Sequence, residues 1–472
     1  MWLSWLPALT HMLFNSLEFP VFLSLVLMLF YLLRTSRQRQ YLLLVASLFF
    51  YGYWKWTYLL LLIASSAIDF FAAIAIGKTQ SAPRKRTFLW LSLSANTGIL
   101  AYFKYSLFLG QAFFFLPGEA PAWIPVVLPV GISFYTFQAM SYVLDVYRGR
   151  MEAEKSWPDY LLFITFFPQL VAGPIERAPH LLGQLKNPMP ALHLTPGILL
   201  LLSGFFKKLV IADRLAVYVD AVFNHPENAN PWQMMLGTFF FGFQIYGDFS
   251  GYSDIARGCA SFFGIDLMAN FRNPYLARDL ADFWRRWHIS LSGWFRDYLY
   301  HPLGGSRKGR LTTMLNLLIV FSISGLWHGA NWTFLIWGCW HGLGLVIQKS
   351  VGLILKPTVF VSRSLSLIWV FAGWFFFRVN HMEDTALFAA KLTAIRLTDF
   401  SNLNLFHSSS EMSLALLSIS VLMLMESGIL RVSSEKLQGA AMLKKLAFGA
   451  LAASILIWFG HFKGGDFIYF QF

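Results

Sequence analysis

The chain has 472 residues, of which 57% are hydrophobic, 18% aromatic and only 13% charged. Soluble domains average roughly 45–50% apolar and about 25% charged residues, so an ordinary soluble enzyme and a disordered chain are both excluded. A net charge of +13 would point to nucleic acid in a soluble protein; in a membrane protein it fits basic cytoplasmic loops facing anionic headgroups.

At roughly 20 residues per spanning helix, this length holds on the order of ten spans, and the fold class is an all-α polytopic membrane protein. The apolar runs are continuous rather than alternating, which argues against a barrel. Cys259 and Cys339, the two cysteines, both lie in apolar surroundings and make neither a disulfide framework nor a metal site. Arg34 is the first basic residue. No basic region therefore precedes the first apolar stretch, and that stretch is expected to remain as an anchor.

Apolar stretches near residues 17–33, 41–54, 57–76, 88–109 and 125–147 read as the first five spans. Arg34, Arg37 and Arg39 follow the first, Lys78, Arg84, Lys85 and Arg86 the third, and Arg148 and Arg150 the fifth. The segment 116–121 after the fourth carries no Lys or Arg. The positive-inside rule then puts the N-terminus outside, with odd spans running inward. The stretches near 159–173, 196–211 and 232–247 are short and interrupted by Pro168, Gly173, Pro174 and Gly204. Irregular backbone at that depth is tolerated only when buried in protein or lining a cavity. Residues 272–310 are the most basic region and are expected on the cytoplasmic surface. Long apolar spans resume near 311–328, 332–349, 365–379, 412–430 and 441–460, which leaves the tail 461–472 outside. No linker marks off a second soluble domain, so residues 1–472 read as one integral membrane domain.

Titratable groups inside apolar stretches are functional candidates by default. His328 ends a span within Gly325-Leu-Trp-His-Gly329, and Gly338-Cys-Trp-His341-Gly342 repeats the pattern thirteen residues later. On one continuous helix, thirteen steps of about 100° put the two imidazoles on different faces, though Asn331-Trp332 could break that helix. Either can be a packing histidine or a general base, and the spacing does not choose between them. Gly325 and Gly329 allow close helix approach in both cases.

The stretch 282–300 is amphipathic, with Trp284, Trp287, Leu291, Trp294, Phe295 and Tyr298 on one face and Arg285, Arg286 and Arg296 opposite. It reads as an interfacial helix on the cytoplasmic leaflet, with His288 beside its aromatic face. In Gln244-Ile-Tyr-Gly-Asp-Phe-Ser-Gly-Tyr-Ser-Asp254, helical spacing puts Gln244, Asp248 and Tyr252 together, and Gly247 and Gly251 form a close-packing pair. A buried Asp248 or Asp254 needs a partner, for which the arginines of 272–296 or a histidine are available. These carboxylates would organise a site rather than attack. Lys104, Asp69 and Glu426 also interrupt apolar stretches, without an assigned role. Phosphate-cradling loop, Gly-x-Ser-x-Gly elbow and metal-ligand cluster are all absent, so a histidine acting as general base is the simplest chemistry available.

At these residues the sequence resembles the membrane-bound O-acyltransferase family, and more closely the bacterial branch that acetylates alginate, other exopolysaccharides and cell-wall polymers. The matching motifs are Pro129-Val-Gly-Ile-Ser-Phe-Tyr-Thr-Phe-Gln138, Phe167-Pro-Gln-Leu-Val-Ala-Gly-Pro-Ile175, Asp248-Phe-Ser-Gly-Tyr-Ser-Asp254, Asn273-Pro-Tyr-Leu-Ala-Arg278, Phe283-Trp-Arg-Arg-Trp-His-Ile-Ser-Leu-Ser292, Arg296-Asp-Tyr-Leu-Tyr300, Leu303-Gly-Gly-Ser-Arg307 and Gly325-Leu-Trp-His-Gly329. They span residues 129–345, flanked by N-terminal helices (1–128) and C-terminal helices (346–472).

The resemblance implies a ring of about 10–13 tilted helices around a thinned centre, where an outer funnel meets a cytoplasmic tunnel. It makes His328 the catalytic histidine and His288 the second characteristic polar residue. Asp248, Tyr252, Asp254, Trp327, Asn273, Arg296 and His341 become secondary candidates, and no metal is implied. Gly247, where a bulkier residue is expected, and His301, where an aliphatic one is common, look atypical; Gly247 would reshape the pocket lining. The implied reaction is acetyl transfer across the bacterial inner membrane, with no bound cofactor and acetyl-CoA as donor. The acceptor is a polysaccharide hydroxyl, reached directly or through an extracytoplasmic acetyltransferase-type partner, with no role for nucleic acid. The rival readings are D-alanyl transfer to teichoic acid from a carrier protein and, from another class, a transporter or flippase. A transporter would have inverted repeats, and none is found between the chain halves.

Overall fold

The structure, a computed structural model, describes residues 12–114 except 17, 128–352 except 172, 192 and 193, then 354, 357–430 except 407, 437, 439, 442–462, 467 and 468. The segment 116–121, and most of the tail 461–472, lie outside them. The described residues are helical with no strand. Five helices are long and apolar enough to cross a membrane: Trp56–Lys78, Thr195–Phe223, Arg310–His328, Val359–Arg378 and Ser409–Glu426. Glu18–Leu32 and Ala447–Phe459 are shorter and also apolar. Large apolar side chains such as Leu25, Phe71, Trp90, Phe360 and Ile368 point outward. Water would penalise that surface, whereas hydrocarbon does not.

Contacts divide the chain into two compact units. The first comprises Met1–Leu201 and Tyr252–Met268. Its second helix, Ser36–Trp54, starts in a capping box: the Thr35 hydroxyl accepts from the Gln38 N–H at 3.2 Å, and the Gln38 side chain accepts from the Thr35 N–H. One extended residue, Lys55, separates it from Trp56–Lys78. Two of the family-like motifs meet in this unit: Gln138 donates from Nε2 to the Phe163 carbonyl at 2.7 Å, and Gln169 Nε2 donates to Gln138 Oε1. Asp69, fully buried, accepts from Ser92 Oγ at 2.5 Å and Asn96 Nδ2 at 2.8 Å, which satisfies one oxygen of a carboxylate inside a span.

The second unit comprises Leu202–Gly251 and Ala269–Phe472. Here two sequence expectations are corrected. The stretch 196–211 is neither short nor broken: Thr195–Phe205 continues through a π-helical stretch, Phe206–Ala212, into Asp213–Phe223. The stretch 232–247 lies within one 32-residue helix, Pro231–Phe262. Its glycines serve packing rather than interruption. A Cβ on Gly247 would stand 2.9 Å from the Lys207 carbonyl oxygen, and one on Gly251 2.8 Å from that of Gly204. Gly247 therefore faces helix backbone, which corrects its expected role in a pocket lining. By contrast 159–173 is interrupted as expected, with Phe166 between Trp157–Thr165 and Phe167–Leu170.

The single interfacial helix expected over 282–300 is also corrected. Leu280–Arg286 and Ile289–Phe295 are separate short helices, followed by a π-helical stretch, Arg296–Tyr300. Trp287, Leu291, Trp294, Phe295 and Tyr298 are buried inside protein. The aromatic face that suggested a membrane surface is core, because apolar periodicity does not say which apolar medium a face meets.

Candidate active site

The helices Arg310–His328 and Trp332–Val351 pack along a glycine seam. A Cβ on Gly325 would collide with the Phe334 carbonyl, and one on Gly338 with that of Phe321. Backbone therefore touches backbone across this seam. The first helix stops at His328 because Gly329 turns fully extended, and Asn331 caps the next helix by accepting from the Thr333 N–H at 3.2 Å. His328 thus sits at a broken helix end, 4% exposed. Its ring lies 5.0 Å from those of Trp327 and Trp337 and 5.2 Å from Phe377. The His288 ring is 6.4 Å away.

His288 occupies the break between the two short helices, in left-handed backbone with φ 43°. Among the described residues only His288 and Asn273 hold positive φ without being glycine, a conformation that costs an L-residue about 1–2 kcal/mol. Buried Asn270 holds the turn. Its carbonyl accepts the Ile289 N–H at 2.8 Å and its side-chain oxygen accepts the Ser290 hydroxyl at 2.6 Å. The ring of Phe249 meets His288 nearly perpendicular at 4.6 Å, and Trp327 lies 6.0 Å away. Backbone strain of this kind collects at functional sites.

Asp248, next to Phe249, is buried with a partner different from those expected. The Lys208 ammonium, in the π-helical stretch, forms ion pairs with Asp248 Oδ1 at 2.7 Å and Asp213 Oδ1 at 2.8 Å. All three side chains are at most 4% exposed. The Ile468 N–H reaches the other Asp248 oxygen at 2.7 Å, bringing the adjacent Phe467 ring to 5.8 Å from Phe249. Neither an arginine nor a histidine is the partner; this corrects the sequence expectation. The signal overlooked was Lys207-Lys208 inside an apolar stretch.

His341 does not meet His328 directly. The indole of Trp337 stands between them, 5.0 Å from each ring. Asn273 donates from Nδ2 to the Glu426 carbonyl at 2.6 Å. Arg296 is exposed and paired with Asp297 at 2.8 Å; that hydrogen bond raises its pKa. Tyr252 and Asp254 belong to the first unit, where the Tyr252 hydroxyl donates to Asn15 Oδ1 at 3.2 Å. Of the candidates, then, His288, Trp327 and His328 converge, Asp248 adjoins them through Phe249, and His341 joins through Trp337. Trp337 and Asn270 carry no individual signature in the sequence, because a lone aromatic or amide looks like any other.

The sequence pattern of the membrane-bound O-acyltransferase family matches residues 55–381. This chain belongs to that family. It is 39% identical over 384 residues to the "probable alginate O-acetylase AlgI" of Pseudomonas putida, covering 79% of this chain and 77% of the relative. The peptidoglycan O-acetyltransferase of Helicobacter pylori is 36% identical over 376 residues, 72% of this chain and 71% of its own. The teichoic acid D-alanyltransferase of Streptococcus thermophilus is 31% identical over 244 residues, 47% and 57% respectively. The protein is thus a multi-pass membrane O-acyltransferase.

Proposed function

We propose that the protein moves an acetyl group from a cytoplasmic thioester donor to a polysaccharide hydroxyl outside the membrane. The carrying observation is the pair of buried imidazoles, His288 and His328, 6.4 Å apart at two broken helix ends. At that separation a carbonyl oxygen placed between the two rings would be within hydrogen-bond reach of both. His328 takes the proton of the acceptor hydroxyl as its oxygen attacks the thioester carbonyl. His288 donates an N–H to the oxygen on which charge develops. Collapse of the intermediate breaks the C–S bond, and the departing sulfur recovers the proton from His328.

Acetyl-CoA is the proposed donor; exposed Arg285, Arg296, Arg307 and Lys308 offer positive charge to its phosphates. The proposed setting is the bacterial cytoplasmic membrane with both termini outside, the whole chain acting as one acyltransferase domain. An acetyltransferase-type partner outside the membrane passes the group to the polymer. The broader match to the alginate and peptidoglycan O-acetyltransferases than to the D-alanyltransferase favours acetyl over alanyl. In cells whose own copy is deleted, His328→Ala at unchanged membrane abundance is expected to abolish ester-linked acetate on envelope polysaccharide, read by mass spectrometry of the released acids. Normal acetate in that variant refutes the assignment, and released alanine would point to D-alanyl transfer.

A further inference from the structure

Thr333, Trp337 and His341 follow one another at four-residue steps along Trp332–Val351 and so share one face. Their exposures are 0%, 1% and 0%. Yet Thr333 Oγ1, Trp337 Nε1 and both ring nitrogens of His341 have no hydrogen-bond partner among the described residues. Trp284, from Leu280–Arg286, adds another such atom, its Nε1. The rings of His341, Trp284 and Trp337 form a triangle with centroid separations of 4.8, 5.0 and 5.7 Å, each pair near perpendicular. Gly373 backs the imidazole: a Cβ there would collide with His341 Nε2.

Packing alone asks for no nitrogen here. A phenyl ring would fill the same triangle without the penalty of an unpaired buried imidazole. The polar inventory is two indole N–H donors, one imidazole N–H and one imidazole acceptor, with the Thr333 hydroxyl one turn from Trp337. A water molecule, which accepts two bonds and donates two, can satisfy most of that set. The same Trp337 indole lies edge-on to His328 at 5.0 Å. We propose that His341 is a positioning residue for acyl transfer: with Trp284 it holds an internal water that fixes the Trp337 indole and, through it, the imidazole of His328. This rests on the role given to His328 above.

The test uses the full-length protein in membranes, with transfer from labelled acetyl-CoA to endogenous polysaccharide followed at varied donor concentration. His341→Phe keeps ring and volume; His341→Gln keeps hydrogen bonding. The expected result for His341→Phe is a kcat lowered about ten- to a hundredfold at a KM for acetyl-CoA close to wild type, with thermal stability undiminished. His341→Gln is expected to recover much of that loss. Wild-type kcat in His341→Phe, or equal losses in both variants, overturns the inference and leaves an aromatic packing role. If neither variant accumulates, Trp284→Phe removes one N–H from the same triangle: a lowered kcat supports the inference and an unchanged one overturns it. His328→Ala, run alongside, separates the two readings, because activity surviving there sinks the acyl-transfer assignment itself.

Discussion

Lys208 faces two carboxylates, and the electrostatics of that triad decide what each residue contributes. Taking an ammonium and two carboxylates out of water is expensive, and only short contacts such as the 2.7 and 2.8 Å pairs offset the cost. Removing the cation would leave Asp213 and Asp248 buried without it. Lys208→Met is therefore expected to destabilise the protein by about 3–5 kcal/mol, read as a lower midpoint of thermal unfolding in detergent. Adding Asp248→Asn should restore part of the loss, and additive losses would show that the ion pair is unimportant. His288 makes a different point. Its left-handed backbone is maintained by Asn270 on the two residues that follow, so strain and its support are adjacent in space though eighteen positions apart in sequence.

Helix ends place the two candidate imidazoles. His328 terminates one helix and His288 separates two others, so neither imidazole lies mid-span, where regular backbone would bury it among its own neighbours. The short helix Leu280–Arg286 that precedes His288 starts at Asp279, whose carboxylate accepts the Asp282 N–H at 2.7 Å. Partial burial opposes the charge on Asp282. Hydrogen bonds from Arg286 Nε and the Arg278 N–H, each 3.0 Å, outweigh it and hold the carboxyl below its ordinary 3.8. A depressed carboxylate pKa adds stability that is complete above the ordinary value and is lost as pH falls through the lower one. The midpoint of thermal unfolding should therefore drop as the medium is acidified below 3.8, and less steeply in Asp282→Asn. Identical acid profiles for the two proteins would remove Asp282 from the account.

For the molecule as a whole, the outward display of Phe360, Leu365 and Ile368 on one span shows a surface built for lipid. The alternation of basic loops predicts an orientation that labelling can check. A cysteine at Ser81, beside Arg84, Lys85 and Arg86, is expected to react with an impermeant thiol reagent in inverted vesicles and not in intact cells. Labelling in intact cells would reverse the topology proposed for the chain.

The membrane class, most helix positions and the motif order were all legible in the linear chain, since each depends on hydrophobic content and local spacing. Arg310–His328 and Trp332–Val351, for example, are bounded by glycine and asparagine signals adjacent to them. Three things were decided only by folding. The aromatic face of 282–300 turned inward because a left-handed residue at 288 broke the helix. Asp248 paired with Lys208 because a glycine face on 247 and 251 let two helices approach. His341 was separated from His328 because Trp337 occupied the space between them. Each depends on residues distant in sequence competing for one volume, and local periodicity carries no record of that competition.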